Sequence, residues 1–246
     1  MTNKSVKTNR IRSSIPSLIT LTGMSLGFFS ILMTGTGHFN LALWLIVYAA
    51  LTDKLDGFAA RRLNVVSETG MQLDSLSDLI TFGVAPAVVI MGLAMMKWKI
   101  SFFTPLGLFF TVASLTFLWA AAVRLAIFNV ITHEDHVHFI GVTTTHSAVI
   151  VATMLLTGLK YNWADWFIGL IPTVYFALAA LMLSRLLVPK LGKGMSKIFR
   201  SIQVILVPVV FVVAILQRFP EFLFALAVIY LLAGVMETIF SRENAD

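Results

Sequence analysis

Residues 53–78 read DKLDGFAARRLNVVSETGMQLDSLSD and interrupt a chain that is otherwise mostly apolar. The stretch holds four aspartates, although the whole chain has only 12 acidic residues: Asp53, Asp56, Asp74 and Asp78. Long apolar runs lie on both sides of it. This arrangement predicts two helices that are joined by a short polar turn, with the aspartates near the turn.

The composition of the whole chain indicates the class of protein. Of 246 residues, 58% are hydrophobic and only 12% are charged, whereas soluble domains carry about 25% charged residues. Disordered, collagen-like and coiled-coil proteins are excluded by the same figures. The chain has no cysteine, so it has no disulfide framework and no thiolate metal site. We therefore predict an integral membrane protein.

Apolar runs between polar or Gly/Pro breaks predict the helices, since a membrane span needs about 20 residues. The predicted fold is an all-α, polytopic membrane helix bundle with about eight transmembrane helices. The predicted helices are Pro16–Thr36, Phe39–Arg62, Thr69–Met96, Phe102–Phe128, Thr143–Leu159, Ala164–Pro189, Arg200–Gln217 and Pro220–Phe240.

The distribution of Lys and Arg predicts the orientation, because cytoplasmic loops of membrane proteins carry more of them. With the N-terminus in the cytoplasm, 13 of the 18 basic residues lie on that side and Lys54 lies inside a helix. The other four are Lys97, Lys99, Lys160 and Arg218. Both termini are therefore predicted to be cytoplasmic, with a basic segment at 1–15, one transmembrane domain at 16–240 and a tail at 241–246. The net charge of +6 thus reflects orientation, and we expect no nucleic-acid partner.

The spacing of the aspartates predicts that they face one another. Asp53 and Asp56 are separated by three residues, and Asp74 and Asp78 by four, so each pair shares one face of its helix. Asp53 and Asp78 each lie roughly 13 Å from the cytoplasmic surface at 1.5 Å per residue. Because the turn between the helices is short, the helices are antiparallel neighbours and their acidic faces can meet.

Four carboxylates at one level need compensating charge. An ionisable residue inside a membrane costs about 3 kcal/mol on insertion scales and indicates function by default. Clustered carboxylates repel one another unless cations lie among them, and oxygen ligands suit Mg²⁺ or Mn²⁺. Two such cations would leave coordination positions for phosphate oxygens. A cation- or proton-coupled transporter would also carry such carboxylates and remains an alternative.

Small and basic residues between the aspartates fit a phosphate ligand. Gly57, Ala60 and Gly70 leave room for a bulky group near the backbone, and the Arg61 guanidinium suits phosphate oxygens. Packing of neighbouring helices would also explain the small residues, and membrane orientation would explain Arg61.

The same stretch is similar to the signature of the CDP-alcohol phosphotransferases, D-x2-D-G-x2-A-R-x8-G-x3-D-x3-D. All eight fixed positions of the signature match without a change of spacing: Asp53, Asp56, Gly57, Ala60, Arg61, Gly70, Asp74 and Asp78.

Other segments resemble the phosphatidylserine synthase branch of that family. They are IPSLITLTGMSLGFFS (15–30), DSLSDLITFGVAPA (74–87), VRLAIFNV (123–130) and FIGV (139–142). The resemblance extends roughly from Ile15 to Ser147. Two positions depart from it, since Ile127 replaces an arginine of the branch and Thr143 replaces a proline.

The resemblance implies an enzyme that transfers a phosphatidyl group from CDP-diacylglycerol to the hydroxyl of L-serine and releases CMP. Two divalent cations, Mg²⁺ or Mn²⁺, would be held by Asp53, Asp56, Asp74 and Asp78, with Asp78 also acting as the general base. The nucleotide site would comprise Asp56, Gly57, Ala60, Arg61 and Gly70. The domain at 16–240 would be the catalytic domain.

The resemblance also leaves the acceptor open, because Ile127 and Thr143 lie where an acceptor would be selected. Glycerol 3-phosphate, an inositol phosphate or choline are the alternatives to L-serine. Arg124, Asn129, Thr143 and His146 are the candidate acceptor residues, although Arg124 could instead set orientation or packing and His146 could simply begin a helix. A homodimer in a prokaryotic cell membrane, with its active site facing the cytoplasm, is expected from the family.

Overall fold

The computed structural model describes residues 3–63, 68–131, 138–184, 187–189 and 208–243. Eight helices and two short strands lie in this part of the chain. The helices are α1 (Asn3–Gly35), α2 (Phe39–Leu63), α3 (Glu68–Lys97), α4 (Pro105–Ile131), α5 (Thr144–Tyr161), α6 (Asp165–Leu183), α7 (208–215) and α8 (Pro220–Glu243). The strands are β1 (His138–Ile140) and β2 (Leu187–Pro189).

The apolar helices confirm a helical membrane protein. Among the described residues, three helices are long and apolar enough to cross a membrane: Ser17–Gly35, Glu68–Lys97 and Pro105–Val130. Two shorter apolar helices are Phe167–Leu183 and Pro220–Met236. The number of eight spans and the cytoplasmic position of both termini stay predictions.

Two of the predicted helix boundaries are wrong. The first helix begins at Asn3 rather than Pro16, because the polar segment before Pro16 continues the helix. The sixth ends at Leu183 rather than Pro189, since Leu187–Pro189 pairs with His138–Ile140 in an antiparallel two-stranded sheet.

Helix α3 lies at the centre of the bundle and is not α-helical throughout. Two stretches, Leu79–Val84 and Leu93–Lys97, have the wider π-helical turn, and the first of them begins directly after Asp78. Single π-helical turns inside α-helices are frequent at functional sites. The buried Tyr175 of α6 donates a hydrogen bond to the Pro86 carbonyl of α3 at 2.9 Å, which fixes the two helices to each other.

Helices α1 and α3 approach each other closely beside the aspartates. A Cβ atom added at Gly27 would lie 2.5 Å from Thr81 Oγ1 and 2.8 Å from Thr81 Cα. The Thr81 hydroxyl donates to the Gly23 carbonyl at 3.4 Å, and the Ser77 hydroxyl donates to the Thr20 carbonyl at 3.2 Å. The glycines of α1 therefore let α3 place its polar face against α1.

Strand β1 leads directly into helix α5, and the residues after it position that helix. Gly141 follows β1 with a φ of +73°, a backbone conformation that glycine adopts without strain. The Val142 amide then donates to the Leu181 carbonyl at 3.1 Å, and the Thr143 hydroxyl caps α5 by accepting from the His146 amide. These contacts tie the first turn of α5 to the end of α6.

Candidate active site

Three aspartates of the 53–78 stretch converge where α2 meets α3. Carboxylate oxygens of Asp53, Asp74 and Asp78 all lie within 4.8 Å of one another, and the three residues are partly buried. The face-sharing spacing predicted from the sequence thus produces an acidic cluster, as expected. The side chains of Asp56, Ala60 and Arg61 lie outside the described parts of the structure.

The acidic cluster borders a small cavity of about 10 Å³, roughly the space that one water molecule needs. Besides the three aspartates, the cavity is lined by Thr20, Gly23, Ala49, Ser77, Thr81 and Phe82. Two oxygens that bind one Mg²⁺ at 2.0–2.1 Å from opposite sides are about 4.2 Å apart. Because the observed separations need only a small side-chain adjustment to reach that value, the donor set fits a hard divalent cation.

Cationic and hydroxyl groups surround the acidic cluster. Lys54 Nζ lies 3.8 Å from Asp53 Oδ2, although the Lys54 side chain is 63% exposed. The Thr145 hydroxyl of α5 is hydrogen-bonded to the Asp53 carboxylate. From α4, the charge of Arg124 acts on Asp78. Two cationic side chains therefore oppose three carboxylates, which leaves negative charge for a bound cation to neutralise.

Arg124 is the most unusual of the groups around the cluster. Arg124 is only 8% exposed, and its buried Nε atom has no hydrogen-bond partner among the residues that the structure describes. An unsatisfied buried donor is costly, and more so when it carries charge. A carboxylate or phosphate oxygen from a ligand would satisfy it, because the guanidinium binds both groups well.

The other three predicted acceptor residues contact protein groups. Asn129 Oδ1 accepts a hydrogen bond from the Ser75 hydroxyl at 2.8 Å, which ties α4 to α3 beside Asp74. Thr143 caps α5. His146 points toward α8, where Nε2 lies 3.0 Å from the Ala227 carbonyl oxygen and the ring packs edge-on against Tyr230. Of the four predicted residues, Arg124 is the one whose charge acts on the acidic cluster in the described structure.

Comparison with known proteins identifies the family. A family model described as CDP-alcohol phosphatidyltransferase matches residues 13–184, which is more than half of the chain. The chain belongs to the CDP-alcohol phosphatidyltransferase family. It is therefore a transferase. Asp53, Asp74 and Asp78 of the acidic cluster are three of the four aspartates in the family signature at 53–78.

Curated relatives are similar to between 47% and 92% of this chain. A CDP-diacylglycerol–serine O-phosphatidyltransferase of Helicobacter pylori is 30% identical over 232 residues, which cover 92% of this chain and 91% of the relative. An archaetidylserine synthase of Methanothermobacter thermautotrophicus is 33% identical over 186 residues, covering 74% and 73%. A Bacillus subtilis CDP-diacylglycerol–serine O-phosphatidyltransferase is 34% identical over 116 residues, covering 47% and 61%.

The structure adds residues to this site that the sequence did not single out. Thr145 contacts Asp53, although only its neighbours Thr143 and His146 in the same polar run were predicted. Ser77 and Thr81, which lie between and beyond the α3 aspartates, fasten α3 to α1. The sequence did contain a signal for these two hydroxyl residues. Ser77 stands three positions after Asp74, and Thr81 three positions after Asp78, so each shares a helix face with an aspartate.

Proposed function

We propose that this protein transfers the phosphatidyl group of CDP-diacylglycerol to the hydroxyl of L-serine and releases CMP. The observation that carries the proposal is the convergence of Asp53, Asp74 and Asp78 within 4.8 Å, inside a chain that belongs to the CDP-alcohol phosphatidyltransferases. The serine acceptor is supported by two relatives from distant organisms, whose names both specify a serine product or substrate.

The proposed reaction is a displacement at phosphorus. The acceptor hydroxyl oxygen attacks the phosphorus that carries the diacylglycerol, the bond from that phosphorus to the CMP oxygen breaks, and CMP leaves. Asp78 accepts the hydroxyl proton as the general base. Two divalent cations, Mg²⁺ or Mn²⁺, held by Asp53, Asp56, Asp74 and Asp78 would supply neutralisation of the pyrophosphate charge. Gly57, Ala60, Arg61 and Gly70, together with Asp56, would bind the nucleotide.

Arg124 supports an acceptor that carries negative charge. Its buried Nε lacks a hydrogen-bond partner in the described part of the chain, and its charge acts on Asp78. An acceptor bound by Arg124 would therefore lie beside the proposed base. The carboxylate of serine would satisfy the guanidinium, and so would the phosphate of glycerol 3-phosphate or of an inositol phosphate. Choline carries a cation instead and would be repelled. Asn129, Thr143 and His146 would shape this pocket from further away.

The proposal includes the arrangement in the membrane. Eight spans with both termini in the cytoplasm would place segment 1–15 and tail 241–246 on that side, with 16–240 as the catalytic domain. The acidic cluster would then open to the cytoplasm of a prokaryotic cell, where a polar nucleotide can enter while the acyl chains stay in lipid. A homodimer is part of the proposal because it is expected for this family.

The test is CMP release by the purified protein with CDP-diacylglycerol and Mg²⁺ or Mn²⁺. Serine, glycerol 3-phosphate, inositol phosphate and choline are added separately. We expect release with serine, loss of release in Asp78→Asn, and full release in Glu68→Gln, which removes an exposed carboxylate at the start of α3. CMP release only with another acceptor would refute L-serine as the acceptor. Absence of metal-dependent release with every acceptor would refute the transferase reaction and favour a cation-coupled transporter.

A further inference from the structure

A second cavity lies at the opposite end of the bundle from the acidic cluster. Its volume is about 640 Å³, within the usual range for sites that bind small molecules. It is lined by Asn40, Leu41, Trp44, Leu156, Lys160, Gln217, Arg218, Phe219 and Pro220. From Asn40 to Asp53 the distance along α2 is about 20 Å at 1.5 Å per residue, so this second cavity is separate from the proposed active site.

The lining of the second cavity is both cationic and apolar. Among the described residues that line it, two are cationic and none is acidic. Lys160 Nζ is already paired with Glu221, at 2.8 Å from Oε1 and 3.1 Å from Oε2. Arg218 has no acidic partner in the parts of the chain that the structure describes. The mouth therefore keeps one uncompensated guanidinium, while Trp44 and Leu156 supply a buried apolar wall.

Two helix N-termini add positive potential at the same place. Asn40 is the second residue of α2 and Pro220 is the first residue of α8, and both line the cavity. The N-terminus of a helix carries a partial positive charge and favours anions. Together with Arg218, these two helix ends favour a ligand with a negatively charged group at the mouth.

The turn that carries Arg218 is held in an unusual conformation. Gln217 and Phe219, on either side of Arg218, have left-handed backbone φ values of 51° and 58°, which are uncommon for residues other than glycine. The side-chain amide of Gln217 donates through Nε2 to the Tyr48 hydroxyl of α2 at 2.9 Å, and that hydroxyl donates to the Ala214 carbonyl. Such conformations persist where surrounding contacts impose them and are concentrated at ligand sites.

We propose that the second cavity binds an anionic phospholipid, with its phosphate on Arg218 and an acyl chain along Leu41, Trp44 and Leu156. The volume greatly exceeds that of a phosphate ion, and the apolar wall would gain nothing from one. With the proposed orientation, the cavity opens to the membrane leaflet opposite the active site. The site is thus a lipid-binding site distinct from the one that would hold CDP-diacylglycerol.

The test is native mass spectrometry of the full chain in a neutral detergent. Phosphatidylglycerol, phosphatidylcholine or inorganic phosphate is added, and bound molecules are counted. We expect saturable binding of one phosphatidylglycerol at this site and weaker binding of phosphatidylcholine. Arg218→Gln should weaken phosphatidylglycerol binding about tenfold, the effect of losing one charge-assisted hydrogen bond. Leu41→Trp, which keeps every charge but narrows the cavity along the proposed acyl-chain path, should also weaken it.

Lys97→Gln is the matched control, because it also removes one exposed cation, at the C-terminal end of α3. Like Arg218, Lys97 is predicted to lie on the side of the membrane opposite the cytoplasm. Lys97 does not line the cavity. It should leave lipid binding unchanged, and all three variants should keep normal CMP release. Equal weakening by Lys97→Gln, equal binding of phosphatidylcholine, or displacement of the lipid by inorganic phosphate would each overturn the proposal.

Discussion

Gly27→Ala should push helix α3 away from helix α1 beside the acidic cluster, without changing any aspartate. The added Cβ would lie 2.8 Å from Thr81 Cα and 2.5 Å from Thr81 Oγ1. A change of the Thr81 rotamer could move Oγ1 away, but it cannot relieve the contact with Cα, which belongs to the backbone. Helices α1 and α3 would have to move apart at Thr81, which lies one helical turn beyond Asp78.

The size of this displacement follows from the contact distances. Ordinary contacts of a Cβ atom begin at 3.4 Å, so the helices must separate by about 0.6 Å at this point. Overpacking of this kind costs about 1–3 kcal/mol of stability. A displacement of about 1 Å in a catalytic site costs about 100-fold in rate, so we expect kcat for CMP release to fall by about 10- to 100-fold.

Gly35→Ala is the matched control for this prediction. Gly35 ends the same helix, and a Cβ added there meets nothing within 4 Å. Steady-state CMP release and thermal unfolding in detergent would be measured for both variants. Retention of half the wild-type kcat by Gly27→Ala would refute the reasoning, and so would an equal loss in Gly35→Ala.

Three further predictions concern the proposed site. Chelation of divalent cations with EDTA should abolish CMP release, and Mg²⁺ or Mn²⁺ should restore it, because the aspartates repel one another without a cation; activity that survives chelation would contradict this. Arg124→Gln should raise the KM for serine about tenfold or more, from the loss of a charge-assisted hydrogen bond, while the KM for CDP-diacylglycerol stays unchanged; kinetics with each substrate varied would separate the two effects. Thr145→Val should slow CMP release by about 3- to 10-fold through loss of its hydrogen bond to Asp53, whereas Thr116→Val, whose hydroxyl binds the Val112 carbonyl of its own helix, should be neutral.

The central part of the site was predictable because it is local in sequence. Residues 39–63 and 68–97 form two helices that are close in sequence, and the spacing of the aspartates fixes which face of each helix is acidic. Once the helices are antiparallel neighbours, Asp53 must approach Asp74 and Asp78. The family signature occupies the same stretch, so the motif and the geometry support each other.

Contacts between distant segments were not predictable from the sequence. The pairing of β1 with β2 joins residues about fifty positions apart, and the apolar residues of β2 look like the continuation of helix α6. Thr145 and Arg124 reach the acidic cluster from helices whose rotation about their axes is fixed only by packing. For the same reason, the contact of His146 with α8 could not be distinguished from an inward orientation.

The most direct test of the account is a count of Mn²⁺ bound by the purified protein, measured by electron paramagnetic resonance. Saturable binding is expected for the wild type and for Glu68→Gln. Asp74→Asn should weaken it about tenfold or more, because one charged ligand of the cation is lost, and CMP release should fall in parallel. Equal Mn²⁺ binding by the wild type and Asp74→Asn would contradict the assignment of the acidic cluster as the metal site.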